Sequence, residues 1–493
     1  MGQINLQLPP GLPADQLAEL QRACLAGGFD NAPGPTSVEV EPRRLLLRRS
    51  LDESGYLQVP WQIEGMGRLM STTATLMERA EPYSLPLELA RGKINQVRNT
   101  LGEWNSLGFT LKPDLADQFR LAHAHFCKAV SLHPSAEADS LAQAALADVH
   151  RLIDRMAPSF TDYLFQLRQQ RVPRLDTSFG CRLQSLPTDS GAMAASFNTI
   201  CVNMNWRAIE PHEAEYRWDE TDALLQWAKG EQIPVVAGPL IDFSPSGLPD
   251  WLWLWEQELP NLANFMCDYV ETAIARYRGQ VRRWQLTSAA NFSSVLSLSE
   301  DEMLWLTARL AEAAMQIAPD IELVVGVSQP WGEYLAREEH TYLPLVFLDT
   351  LLRAGLRLAA LDLEIAMGID PRGSYCRDLL EISRLLDSFA VLGTPLHVSL
   401  SFPSASDTDA NAESEQEPTA GYWHNGFTPE TQRAWAVAVA AMAAVKPYVQ
   451  GVYWGHLSDA EPHRFPNCGL LDLAGQPKPA LEGLRLVREA HLR

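Results

Sequence analysis

The chain has little positive charge: 40 Lys and Arg stand against 61 Asp and Glu, a formal balance of −21. Nucleic acids and anionic bilayers attract basic surfaces, so neither is an expected partner. No stretch approaches the roughly 18 uninterrupted apolar residues of a membrane span. The N-terminus MGQINLQLPPG lacks a basic patch followed by an apolar run, and Leu6 stands where a myristoylation motif wants Ser or Thr. A cytoplasmic location is the resulting expectation. Cysteine is sparse. The seven (Cys24, Cys127, Cys181, Cys201, Cys267, Cys376, Cys468) form no CxxC and no Cys/His pair at zinc spacing, which predicts reduced, mostly buried thiols. GxGxxG or P-loop sequences in the right context, HExxH and GxSxG are all missing, so no cofactor and no metal is expected. Ser288 follows a strand pattern, but the sequence assigns it no His/Asp partners.

What is present is a soluble, globular composition, 46% hydrophobic and 20% charged, over 493 residues, enough for two or three cores. Residues 1–85 read as a β-rich unit, with strand patterns at 3–8, 37–41, 44–49, 56–61 and 68–77, a helix at 14–26, and a break at Asn31-Ala32-Pro33-Gly34. A small β-sandwich resembling a carbohydrate-binding module is one reading of it. A plain structural domain is the other, and nothing in the segment marks a ligand face.

Residues 86–171 change to helical periodicity at 87–107, 114–132 and 136–153, with Asp114 and Ser135 as N-caps and a break expected at Pro158. Trp104, Phe119, His123 and Phe126 are expected in the core of this helical linker. From 172 to 493 short apolar strands alternate with helices. The strands fall at 178–182, 199–204, 235–239, 283–287, 322–327, 359–365, 397–401 and 451–454. Eight such units in about 320 residues predict an α/β fold, a (β/α)8 TIM barrel whose site lies at the C-terminal ends of its strands.

Four segments of the barrel region carry a resemblance. They are Phe197-Asn198-Thr199 through Met204-Asn205-Trp206, with Glu210-Pro211, Tyr216, Trp218 and Asp222; Gly238 through Pro249-Asp250-Trp251; residues 269–284; and Trp454-Gly455 with Gly469-Leu470-Leu471-Asp472 and Pro477-Lys478-Pro479-Ala480. Together they resemble glycoside hydrolase family 10, the retaining xylanases, over residues of about 175–490. The resemblance implies two catalytic carboxylates about 5–5.5 Å apart. At the implied acid/base position this chain has Ala289, and at the nucleophile position Leu400. The second strand's Glu-Asn falls on Cys201-Val202 and its Lys on Asn205. The third strand's histidines fall on Pro239 and Ser244, with its Trp on Phe243.

An alanine and a leucine can neither donate a proton nor attack a sugar, so the leading expectation is a pseudoenzyme that binds a glycan or other small carbohydrate. Trp454, Phe243 and Trp331 are the candidate stacking aromatics, joined by Asn205, Ser288 and Asp459 as ligand contacts. The alternative is an active glycoside hydrolase with relocated acids, Glu364 with Asp242 or Glu333. Asp362 and Glu364 lie two apart on one strand and so share a face. If that face is the barrel interior, their proximity would split their pKa values. A third reading is a scaffold, compatible with a homo-oligomer, whose acidic loop 404–418 is expected to be mobile and solvated over the cleft mouth. Tyr422, Trp423 and His424 would then form a lid. His456, Asp459 and His463 near the last strand are read as ordinary loop residues, not as a metal site.

Overall fold

Eight parallel strands close on themselves in the computed structural model, which describes residues 2–27, 32–50, 52–292, 295–337 and 340–493. In chain order the barrel strands are Ser178–Leu183, Thr199–Val202, Val235–Ala237 continued by Ile241–Asp242, Arg283–Ser288, Glu322–Ser328, Ala360–Ala366, Leu396–Ser401 and Val449–Trp454. Each pairs with its sequence neighbours. The eighth joins the first (Trp454 opposite Cys181) and the third joins the fourth (Ala237 opposite Trp284), so no edge remains.

The alternating phase of each strand decides what reaches the centre. On the sixth strand Leu361, Leu363 and Ile365 enter the main apolar core, while Asp362 and Glu364 face the barrel axis. On the seventh, Val398 and Leu400 face the core, and Ser399 and Ser401 face the cleft. A register shift between Gln285 and Thr287 on the fourth strand sets the phase that brings Ser288 to the cleft.

The N-terminal region forms two sheets. One has the order Ser37–Glu41, Arg44–Arg49, Gly2–Gln7, Tyr83–Ser84. The other runs Ala32–Gly34, Cys24–Gly27, Tyr56–Ile63, Gly67–Thr72 and is completed by Tyr422–Trp423, a strand from beyond the seventh barrel strand. Gly67 has φ +98°, and a Cβ there would strike the Tyr422 carbonyl oxygen, so the junction needs a glycine. The expected helix at 14–26 stops at Glu19, because Cys24–Gly27 pairs antiparallel with Tyr56–Gln58 and buries Leu25 and Ala26. Sheet pairing overrides local helix propensity there. Asn31 of the expected break lies outside the described residues.

Three helices follow, Leu85–Ser106, Pro113–Leu132 and Ala136–Gln169. The break expected at Pro158 does not occur. The third helix continues through it, with Met156, Phe160 and Phe165 buried and Phe160 stacked on Trp104 at 3.9 Å. Burial of three large side chains, each about 1.5–3 kcal/mol, outweighs a proline penalty of about 3 kcal/mol. Trp104 is in the core as expected, Phe119 and Phe126 are half-buried, and His123 is exposed, next to Ala122, which takes the buried side of that turn.

The helices dock onto the barrel through packing, with Phe165 stacked on His491 at 3.7 Å, and through charge. Lys93 Nζ lies 2.7 Å from Asp378 and 3.3 Å from Glu381, at the start of the helix Leu379–Phe389. Six cysteines are buried and Cys127 is exposed; all seven are free. Among the described residues no helix is long and apolar enough to cross a membrane.

Candidate functional site

The strand ends open into a cleft of about 480 Å³. Its floor is a chain of hydrogen bonds across the barrel interior. Arg182 on the first strand donates to the Gly238 carbonyl and, at 2.7 Å, to Gln285 Oε1. Gln285 Nε2 donates to Asp362 Oδ2 at 3.1 Å, and Ser399 Oγ donates to the same carboxylate at 2.9 Å. Burial pushes the Asp362 carboxyl up to about 6, opposed by the Arg182 charge and the Ser399 hydrogen bond and helped by Glu364.

Glu364, one step nearer the mouth, accepts from Ser328 Oγ at 2.8 Å and from Arg464 Nη1 at 3.1 Å. Burial raises its pKa, the Arg464 charge pulls it back, and the negative charge of Asp242 raises it further. Asp242 lines the same cleft, with its Oδ1 accepting from Ser244 N at 3.0 Å. Burial disfavours the Arg464 charge, but Glu364, Asp242 and Glu413 together hold its pKa above the ordinary value. The guanidinium thus pairs directly with Glu364 and feels the charge of the other two carboxylates.

The loop 404–418 is ordered on the barrel. Asp409 accepts from Asn467 N at 2.8 Å and from Asn411 N at 3.0 Å, and its Oδ2 lies 2.8 Å from His463 Nε2. Glu417 and Asp370 exchange backbone hydrogen bonds at 2.9 and 2.8 Å. Glu413 accepts from the backbone N and hydroxyl of Ser246, across the mouth on the loop after the third strand. The acidic composition that suggested a mobile, solvated loop is offset by these donors, most of which come from distant parts of the chain.

His463 faces acceptors on both sides, Glu461 O at 2.7 Å and Asp409, and its ring stacks on His456 at 4.2 Å. Burial lowers the His456 pKa to about 4, so this ring is neutral at pH 7 and donates from Nε2 to Asp459 (3.3 Å), leaving Nδ1 as an acceptor. His456, Asp459 and His463 have ligand atoms within 4.8 Å of one another. Asp459 is committed to the Lys478 ammonium and to Gly469 N at 2.7 Å, and both His463 nitrogens face acceptors, so the three are hydrogen-bonded structure and a poor cation cage.

Of the residues singled out from sequence, Asn205, Asp242, Ser288 and Glu364 meet in the cleft. Asn205 caps the short helix Trp206–Ile209 through Ala208 N at 3.0 Å and donates to Ser246 O at 3.1 Å. Asp459 lies just behind the wall. The three aromatic candidates do not line the cleft. Trp454 is 2% exposed, donates to Cys468 O at 2.7 Å and packs on Trp435, because Tyr453 and not Trp454 takes the inward phase of the last strand. Phe243 is buried in the main core. Trp331 lies under the Arg377 guanidinium at 4.6 Å, and Glu333 is bound to Arg377 and Tyr375 N, both outside the cleft.

The lid expected from Tyr422, Trp423 and His424 is instead the strand closing the N-terminal sheet, with His424 Nε2 2.9 Å from Asp154. Leu400 faces the core, so the cleft-facing groups of the seventh strand are Ser399 and Ser401. Ala289 occupies a buried turn with φ +56° behind Ser288. A one-residue step therefore separates the implied catalytic positions from their cleft-facing neighbours Ser288, Ser399 and Ser401.

Sequence reasoning missed Arg464, Glu413 and Phe465, whose ring lies on the cleft wall beside those of His456 and His463. No local pattern distinguishes them, since each reaches the site from a long loop.

Comparison with known proteins bears on this segment. The model of the family described as Glycosyl hydrolase family 10 matches residues 178–290, which carry Arg182, Asn205, Asp242 and Ser288. Solved structures similar to the chain include native xylanase 10B from Thermotoga maritima, with 16% identity, TM-score 0.48, and 65% of this chain and 97% of that chain covered. Another is xylanase 10B from Thermotoga petrophila RKU-1 in complex with xylobiose, with 15% identity, TM-score 0.47, and 64% and 94% covered. A third is a GH10 structure from Paenibacillus barcinonensis, with 19% identity, TM-score 0.47, and 63% and 94% covered. The chain is a closed eight-stranded parallel barrel with a β-rich N-terminal region and a helical segment, and its first four strands match the glycosyl hydrolase family 10 model.

Proposed function

We propose that the barrel cleft binds a carbohydrate and does not carry out double-displacement hydrolysis. What supports this reading is the polar wall of the cleft, which carries Ser288, Ser399 and Ser401 beside Ala289 and Leu400, the positions at which the family resemblance implies two carboxylates about 5–5.5 Å apart. Serine, asparagine, carboxylate and guanidinium groups converging on one concavity suit a ligand rich in hydroxyls, which donate and accept at once. Glu413 Oε2 and Arg464 Nε are buried on this wall without a hydrogen-bond partner among the described residues. One is an acceptor and the other a donor, and a sugar hydroxyl can satisfy either.

A second reading, hydrolysis by Glu364 with Asp242, is favoured by their shared cleft and by the raised Glu364 pKa. Against it stands the Arg464 contact, which favours the ionised form of Glu364 and so opposes a proton-donor role. Calorimetric titration of the full chain with mono- and oligosaccharides, beside a screen of aryl glycosides, tests both. Binding without turnover is expected. Turnover that Glu364→Gln abolishes would replace the first reading with the second.

The same proposal divides the chain into a β-rich unit (1–85), a helical linker (86–171) and the barrel (172–493), working in the cytoplasm.

A further inference from the structure

The site is closed where a groove for a long polymer would have to continue. Among the described residues the cleft draws on the first to fourth and sixth to eighth strands and stops short of the fifth. On that side Phe292 stacks on Tyr334 at 4.6 Å, Arg372 covers the Phe292 ring at 4.5 Å, and Gln329 donates to Pro371 O at 2.5 Å. These contacts fill the mouth above the fourth and fifth strands. Above the sixth and eighth, Ile369, Ala366, Phe465 and Cys468 form a separate buried cluster that backs the wall.

The third boundary is the strap 404–418. It is pinned at Asp370, at Asn467 and, through Glu413, at Ser246 on the opposite rim. The exposed rim residues Arg207 and Pro462 mark the side left open. A cavity of about 480 Å³ lies in the lower half of the range for small-ligand pockets, about 300–1,000 Å³.

We infer that the cleft is a blind pocket that takes the end of a saccharide chain and excludes a chain's interior. This rests on the carbohydrate-binding reading above. An internal stretch must leave a site at both ends, and here one exit is filled by packed aromatic and guanidinium groups and another is crossed by the Glu413–Ser246 hydrogen bonds. The unpartnered Glu413 Oε2 and Arg464 Nε belong to this walled part and hold the terminal ring, whose extra free hydroxyl is what an end has and an interior unit lacks.

The test is a length series on the full chain by titration calorimetry: xylose, xylobiose, xylohexaose and soluble xylan, with the corresponding gluco-oligosaccharides beside them. The expected result is that, in the series that binds, the hexaose binds within about twofold of the disaccharide at one protein per chain. Glu413→Ala combined with Ser246→Ala removes the strap's hold on the far rim and is expected to raise hexaose affinity relative to disaccharide by about tenfold. Thermal melting verifies that this variant folds, and the wild-type series decides the question if it does not. Affinity that climbs tenfold or so with length in the wild type, with several proteins per xylan chain, would overturn the blind pocket while leaving carbohydrate binding intact. No binding by any probe would remove the carbohydrate reading, and the blind pocket with it.

Discussion

Replacing Lys93 by methionine should cost more stability than any surface substitution in this protein. Lys93 and Asp378 are each 1% exposed and lie 2.7 Å apart, with Glu381 at 3.3 Å and Gln96 Oε1 at 2.6 Å completing the ammonium's partners. Asp378 also caps the helix Leu379–Phe389 by accepting from Leu380 N at 2.9 Å and Glu381 N at 3.0 Å. Burial alone would raise the Asp378 pKa, yet Lys93, with help from His150, holds it well below the ordinary carboxylate range.

Removing the cation leaves two carboxylates with backbone and amide donors and the buried His150 imidazole, 3.6 Å from Asp378, but without the lysine charge. Breaking one side of such a pair costs about 3–5 kcal/mol, whereas an apolar replacement of both sides is often near neutral. Lys93→Met should therefore lose about 3–5 kcal/mol in denaturant unfolding. Lys93→Met with Asp378→Asn should recover part of that loss, with a coupling of about 1–3 kcal/mol. The depressed Asp378 pKa adds a pH signature. Its stabilisation is complete above the unfolded carboxylate value near 4 and is lost as pH falls below it, so the gap between wild type and variant should narrow in acid. A Lys93→Met loss below about 1 kcal/mol at pH 7, or a double variant no better than the single one, would refute the claim that this ion pair ties the helices to the barrel.

Asp362, pushed up to about 6 by burial, binds its proton more tightly folded than unfolded, so its contribution makes stability fall as pH rises from about 4 to 6. A rise of that size amounts to about 3 kcal/mol, and melting temperature against pH should flatten over that window in Asp362→Asn. Trp454→Phe should destabilise by about 1–3 kcal/mol and leave saccharide affinity unchanged, because its indole is anchored to Cys468 O and does not line the cleft. Loss of affinity in a folded Trp454→Phe protein would contradict this placement. Gly67→Ala should lose more than about 1 kcal/mol, since φ +98° is strained for alanine and its Cβ would strike the Tyr422 carbonyl; an unchanged melt would count against the junction.

Much of the architecture was legible because it is periodic. Short apolar strands alternating with amphipathic helices dictate a parallel barrel, and the glycine-, proline- and tryptophan-bearing segments around residues 197–251 carry the family likeness that the match over 178–290 also finds. Asp242, Ser288 and Glu364 were readable as cleft groups because each lies at or near a strand's C-terminal end. Phase was less legible at strand ends, where one residue's step moves a side chain from cleft to core. Leu400 and Trp454 fell on the wrong side for that reason, with Ser399, Ser401 and Tyr453 taking the inward places.

The sequence by itself determined the closed barrel and the helical segment before it, since hydrophobic period is a local property. Only the tertiary structure decided that the acidic strap is pinned, that Arg464 pairs with Glu364, and that Tyr422–Trp423 completes a sheet begun at Cys24–Gly27. Each of those depends on donors and acceptors far apart in the chain, and only folding brings them within hydrogen-bonding reach.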